Sequence, residues 1–233
     1  MWGRWEKCGL CEQKYHGVVA CALGWACWKT YLGRPEADWA RRMAMSVLGN
    51  GLDAAERFED ALTVREAELA MLRRLGGSEE SILIIQNNLA GTYQYLGQSE
   101  QALRLKRDVY FGYLKLKGEE SRNTVVTANN YANGLLGLQR FGEARALLRT
   151  TIPVALRVLG ESDTLRLTMR KIFAMALYED PAATRSDLRE ATTTLEEIER
   201  TARRMLGGAH PTTAAIERNL RASRDALYAR GLP

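Results

Sequence analysis

Apolar residues along this chain return at helical spacing, in blocks separated by short polar turns. Leu89, Tyr93 and Leu96 fall on one face of a helix, a turn follows, and Ala102, Leu105 and Val109 share the face of a second. No segment alternates apolar and polar residues as a half-buried strand would. The pattern predicts about nine helices in antiparallel pairs and no sheet. The block then repeats. Gln86, Asn87, Asn88, Leu89 and Ala90 recur 42 residues later as Ala128, Asn129, Asn130, Tyr131 and Ala132, and the same step takes Leu96 to Leu138, Ala102 to Ala144 and Gly118 to Gly160. A third step reaches Phe173 and Ala174, after which five extra residues around Pro181 move the equivalent of Gly160 to Gly207. Leu48, Gly49 and Ala61 occupy the matching places 41 residues upstream.

Four repeats result, followed by a helix from Thr212 to Ala229 that would cover the last apolar face, as a terminal unit of a stacked array must. Gly76, Gly118, Gly160 and Gly207 are expected near helix C-termini, where a residue without Cβ ends the last turn. Pro153 is expected to bend the helix running from about Ala144 to Val158, because proline removes a backbone donor and its ring presses on the preceding turn.

Composition changes abruptly along the chain. All four cysteines and all five tryptophans lie in the first 39 residues, and Leu32, Gly33, Arg34 and Pro35 read as punctuation. The expected organisation is therefore a Cys/Trp-rich segment at 1–35 and a repeat array at 36–230. Charge adds little: 33 basic residues are interleaved with 28 acidic ones for a net +5, which reads as a solvated surface and makes nucleic acid an unfavoured partner. The longest apolar stretch, Gly17 to Trp28, is short of the roughly 20 residues of a membrane-spanning helix. The N-terminus does not order its residues as a secretory signal does, so a cytoplasmic protein with reduced or metal-bound thiols is expected.

Leu89 followed by the small Ala90, an aromatic four residues on at Tyr93, and Ala102 beyond it resemble the tetratricopeptide consensus. More narrowly, the 42-residue step, the opening Asn87, Asn88, Leu89, Ala90 and the closings Leu75-Gly76, Leu159-Gly160 and Leu206-Gly207 resemble kinesin light chain repeats. The segment from Leu206 through His210 and Pro211 to Thr213 is similar to the inter-repeat turn of that family. The resemblance spans roughly residues 36–230. It implies an all-α fold, a right-handed superhelix of antiparallel helix pairs whose first helices line a concave groove. It also implies a monomeric, non-catalytic scaffold that receives a protein or an extended peptide. The family's long heptad segment for the motor heavy chain has no counterpart here, so a groove without the motor connection is expected.

Counted from the large consensus residue, the inward positions are Ser46, Asn50 and Asp53; Asn87, Gly91 and Gln94; Asn129, Asn133 and Leu136; and Lys171, Met175 and Tyr178. Of these, Asn50, Asn87, Gln94, Asn129, Asn133 and Lys171 are the candidate groove residues. A carboxamide both donates and accepts, so it can clamp a peptide backbone without demanding a particular side chain.

The first 35 residues admit three readings. Cys8 and Cys11 have the spacing at which two thiolates converge on one zinc ion, and His16 and Cys21 continue the spacing of a CCHC zinc knuckle, although Tyr15 and Gly9 depart from that pattern. Trp5, Cys8, Cys11, Tyr15 and Gly17 also resemble the last ligand pair of a RING-variant zinc module, an arrangement similar to that of algal light-chain-type repeat proteins. That resemblance implies further ligands before Met1. In the third reading Val18, Val19, Leu23 and Trp25, with Cys21 and Cys27 among them as small buried hydrophobes, form an apolar helix that caps the first repeat.

Catalysis finds no constellation. The chain has two histidines, His16 and His210, with His210 in an inter-repeat turn, and it has neither a phosphate loop nor a dinucleotide fingerprint. No cofactor is required, zinc at the N-terminus being the one possible exception. The alternatives to a peptide-binding scaffold are a nucleic-acid binder using the knuckle, and the substrate-recognition part of a RING-variant-type ubiquitin ligase.

Overall fold

The computed structural model describes residues 2–160 and 163–230. Among them are ten α-helices, a 3-10 helix at Trp2–Trp5, and one isolated antiparallel bridge between Lys7 and Lys14. The helices are α1 (Gly17–Tyr31), α2 (Trp39–Ala54), α3 (Phe58–Arg74), α4 (Glu79–Tyr95), α5 (Ser99–Lys117), α6 (Arg122–Gly137), α7 (Phe141–Val158), α8 (Thr164–Tyr178), α9 (Arg185–Leu206) and α10 (Pro211–Ala229). They form two compact units, Met1–Val109 and Tyr110–Pro233, and the chain passes from one to the other within α5. In the first unit α1 packs on α2, α2 on α3 and α3 on α4. In the second, consecutive helices pack from α6 to α10, and α8 also touches both α6 and α10.

The turn inside each repeat is the same object three times. In α4 the N–H of Gln98 donates to the carbonyl of Tyr93 and that of Gly97 to Gln94, with Gly97 left-handed at φ +75°. Glu56 (φ 59°) and Gln139 (φ 57°) take that place in the first and third repeats, with Arg57 and Arg140 donating back to Leu52 and Leu135. This six-to-one closure lets a helix reverse within a few residues, which keeps its partner antiparallel. Helix starts are capped as the sequence permits. Asp38, Ser78 and Asp163 accept from the first turns of α2, α4 and α8, and Thr184 with Asp187 forms a capping box on α9. His210 caps α10, its Nδ1 accepting from the Thr212 N–H at 3.1 Å, with Pro211 in the first helical position. Gly76, Gly118 and Gly207 follow their helices in left-handed backbone; Gly160 follows α7 without it. Pro153 lies inside α7, which continues through it to Val158.

Residues 1–35 share a compact unit with the first two repeats, because α1 is apolar along its length and buries one side on α2. Two glycines set that contact. A Cβ on Gly24 would lie 3.1 Å from the Leu48 Cα, and one on Gly51 would lie 2.5 Å from the Ala20 carbonyl oxygen. Gly51→Ala must therefore push α1 and α2 apart, at a cost of about 1–3 kcal/mol. Gly91→Ala in α4, where a Cβ meets nothing within 4 Å, should instead stabilise by about 0.5–1 kcal/mol. Thermal melts followed by tryptophan fluorescence check both, since every tryptophan lies in this unit. Equal melting of Gly51→Ala and wild type would show the close approach to be unimportant.

Candidate functional site

The positions expected to face inward in the first repeat are engaged within the protein itself. Arg65 of α3 is 2% exposed and reaches across to α2 and α4. Its Nη2 donates to Asn50 Oδ1 at 3.0 Å and to Asp53 Oδ2 at 2.5 Å, and its Nε donates to the Thr92 hydroxyl at 3.1 Å. Thr92 in turn donates to Asp53. In the second repeat, Lys106 of α5 donates to Gln94 Oε1, and burial holds its ammonium below the usual lysine range. Asp53 and Gln94 are 41 residues apart, as are Arg65 and Lys106. One further step of 42 turns the pair into Leu136 and Leu148, both buried. The equivalent positions thus carry an ion pair, then an amide–ammonium pair, then two buried leucines. Asn50 and Gln94 remain exposed edges of these pairs, while Asn87 is half-buried.

A second buried group lies beside Arg65. Glu68 is 2% exposed; its Oε1 accepts from the Ser46 hydroxyl, and its Oε2 has no partner among the described residues. Burial pushes its carboxyl up to about 7, against the opposing effects of the Ser46 hydrogen bond and of Arg65 and Arg42.

In the second unit the positions expected to face inward are less engaged. Asn129 of α6 is half-buried, its Nδ2 is 3.5 Å from Asn130 Oδ1, and its Oδ1 is a buried acceptor with no partner among the described residues. Asn133, one turn along, is exposed. On α8, burial and then the neighbouring Arg218 of α10 lower the Lys171 ammonium below its usual range. The Tyr178 hydroxyl donates to Asn219 Oδ1 at 2.7 Å, so α8 and α10 share this side.

At the N-terminus, residues 6–15 form a hairpin in which Cys8 and Gln13, and Tyr15 and Glu6, are joined through the backbone. The N–H groups of Cys11 and Leu10, and the Cys11 thiol, bond to the Cys8 sulfur and hold its thiol below the usual range. Cys8 and Cys11 are thus brought together as the spacing predicts. Cys21 is not with them: it faces α2 and α3 in a core with Leu48, Leu52 and Ala61, while His16 is the N-cap of α1. No three His, Cys, Asp or Glu side chains converge as metal ligands among the described residues. The knuckle set Cys8, Cys11, His16 and Cys21 is therefore not assembled, because a helix that buries its apolar side turns Cys21 into the core. Cys27 is fully buried against Ala44 and Val47, and burial raises its thiol to about 11. The hairpin also walls a cleft of about 290 Å³ with Trp5, Lys14, Tyr15 and His16 on one side and Asn50 and Gly51 of α2 on the other.

With paired helices, short left-handed turns and direct contacts between first helices in place, the likeness to solved structures is specific. Two crystal structures, one of them a point variant, show the nearly identical TPR-like repeats of a Podosopora anserina protein assigned as a kinesin light chain. The variant is 21% identical to this chain, covers 82% of it and 88% of its own length, and superposes with a TM-score of 0.69. The other is 22% identical over 85% of this chain and 90% of its own, with a TM-score of 0.68. The fold is that of kinesin light chain-like tetratricopeptide repeats. BtubC (BKLC) from P. vanneervenii has it too, at 15% identity over 90% of this chain and 86% of its own, with a TM-score of 0.66. No protein-family model and no curated protein matches the chain. The tetratricopeptide-type repeats seen in the sequence are thus present as structure, and among the described residues no helix is long and apolar enough to cross a membrane.

Proposed function

We propose that this chain is a non-catalytic scaffold that holds a protein or an extended peptide client against the inward positions of its first helices. The observation that supports the reading is Asn129 of α6, whose buried carboxamide oxygen has no partner among the described residues. An unmade hydrogen bond of this kind costs about 1–3 kcal/mol of desolvation, which a client backbone N–H would recover. Asn133 and Lys171 extend the same set of positions. Asn50, Asn87 and Gln94 are their counterparts in the first unit, where Arg65 and Lys106 pre-orient Asn50 and Gln94.

The test is a peptide selected from a library against the full chain, then titrated into wild type and the double variant Asn129→Ala/Asn133→Ala. Affinity should fall by about 1–3 kcal/mol for two neutral hydrogen bonds. The melting temperature should hold, since Ala is the better helix former and the Asn129 oxygen loses nothing. Unchanged affinity with a lower melting temperature would assign these amides to the fold and remove the groove reading.

A further inference from the structure

The hairpin that precedes α1 holds two thiols in one closed turn. The Glu12 N–H donates to the Cys8 carbonyl at 3.0 Å and the Cys8 N–H to the Gln13 carbonyl at 2.9 Å, with Glu12 left-handed at φ 56°. Cys8 and Cys11 are the first and fourth residues of this turn, and a turn of that size keeps the two Cα atoms within about 7 Å. A disulfide spans Cα separations of about 4.4–6.8 Å, so the backbone is close to the shape that an intramolecular bridge requires. The Cys11 thiol donates to the Cys8 sulfur, as do the N–H groups of Leu10 and Cys11. The two sulfurs are therefore in hydrogen-bonding contact, and the one at position 8 is surrounded by donors that favour its anion.

These thiols differ from the other two in the chain. Cys21 and Cys27 are 8% and 0% exposed in the packing of α1, whereas Cys8 is half-buried and Cys11 exposed. Leu10, between the latter two, is 98% exposed, so the turn projects to where a small molecule reaches it. A structural zinc ion takes four ligands, and among the described residues no third His, Cys, Asp or Glu side chain joins this pair. Two touching thiols, one of them poised as a nucleophile and the other as its resolving partner, have the arrangement that thiol–disulfide exchange uses.

We propose that Cys8 and Cys11 form a thiol–disulfide exchange site whose substrate is a low-molecular-weight disulfide of the glutathione class. The Cys8 thiolate attacks one sulfur of that disulfide, the S–S bond breaks, and the first glutathione leaves as a thiolate that takes up the proton Cys8 lost. Cys11 then gives up its proton and attacks the Cys8 sulfur of the mixed disulfide. The second glutathione is expelled and takes up that proton. Two protein thiols are oxidised to one disulfide while one small disulfide is reduced to two thiols, so no further oxidant is needed. The site lies outside the positions proposed for a client and stands whether or not those positions bind one.

The experiment uses the full chain, equilibrated in mixtures of reduced and oxidised glutathione of increasing oxidised share. Samples are quenched in acid, unfolded with N-ethylmaleimide to block free thiols, and digested with trypsin for mass spectrometry. Cleavage after Lys7 and Lys14 releases residues 8–14, which carry Cys8 and Cys11 alone, while Cys21 and Cys27 fall in residues 15–29. As the oxidised share rises, peptide 8–14 should pass from doubly blocked to an unblocked form that has lost two hydrogens, with peptide 15–29 doubly blocked throughout. Cys11→Ser should stop at the mixed disulfide of Cys8 with glutathione, and Cys8→Ser should form its own mixed disulfide at least about threefold more slowly. The same series with a chelator present should give the same result. The proposal is overturned by a peptide 8–14 that stays doubly blocked at every ratio, or by oxidation of Cys21 and Cys27 in parallel. Equal rates in the two single variants overturn it too, as does protection that only the chelator relieves, since the pair would then be holding a metal.

Discussion

Arg65→Ala should destabilise the unit of residues 1–109 by about 3–5 kcal/mol, the range for removing one partner of a buried charged pair. The side chain is 3% exposed and is the only group described that bonds to α2 through Asn50 and Asp53 and to α4 through Thr92. Its removal leaves the Asp53 carboxylate with the Thr92 hydroxyl but no counter-ion, and takes away a cation that partly offsets Glu68. Urea unfolding followed by tryptophan emission reads this unit alone, because all five tryptophans belong to it. The double replacement Asp53→Leu/Arg65→Leu should recover most of the loss. It installs leucines at the positions where the third repeat has the buried Leu136 and Leu148, and an apolar exchange for a buried ion pair is often neutral or better. A single variant that loses less than about 1 kcal/mol would mean that the pair behaves like an exposed one and does not hold the three helices together.

Glu68→Gln should act in the opposite direction and only at the alkaline side. The folded carboxyl sits at about 7, above its ordinary value of 4.5, chiefly because burial disfavours the charged form. The folded state therefore holds the proton more tightly than the unfolded one. Its contribution to stability is complete below pH 4.5 and is lost as the pH rises through 7. At about 1.36 kcal/mol per unit, wild type should lose up to roughly 3 kcal/mol from this group between pH 4.5 and 8. The variant, uncharged throughout and able to keep the Ser46 hydrogen bond, should gain about 2–3 kcal/mol over wild type at pH 8 and almost nothing at pH 5. Arg65 and Arg42 are the charged groups that act on it. A pH-independent difference between variant and wild type would show that Glu68 is ionised throughout and paired.

The sequence alone determined the helices, their pairing and their repeat, because helix period, turn residues and capping residues act over a few positions and are written locally. The step from Leu89 to Tyr131 to Phe173 fixed which residues are equivalent, and Pro211 after His210 marked the start of α10. Phase also placed Asn129 and Asn133 on one face of α6. What phase cannot give is the identity of the side chain across an interface. Asp53 and Gln94 were legible as inward positions, but their cationic partners sit on second helices, and Arg65 and Lys106 carried no signal that they are buried. The same reason decided the cysteines. The spacing from Cys8 to Cys11 is local and made a hairpin, whereas Cys21 answers to the burial of α1 on α2, a tertiary demand that outweighs the knuckle spacing.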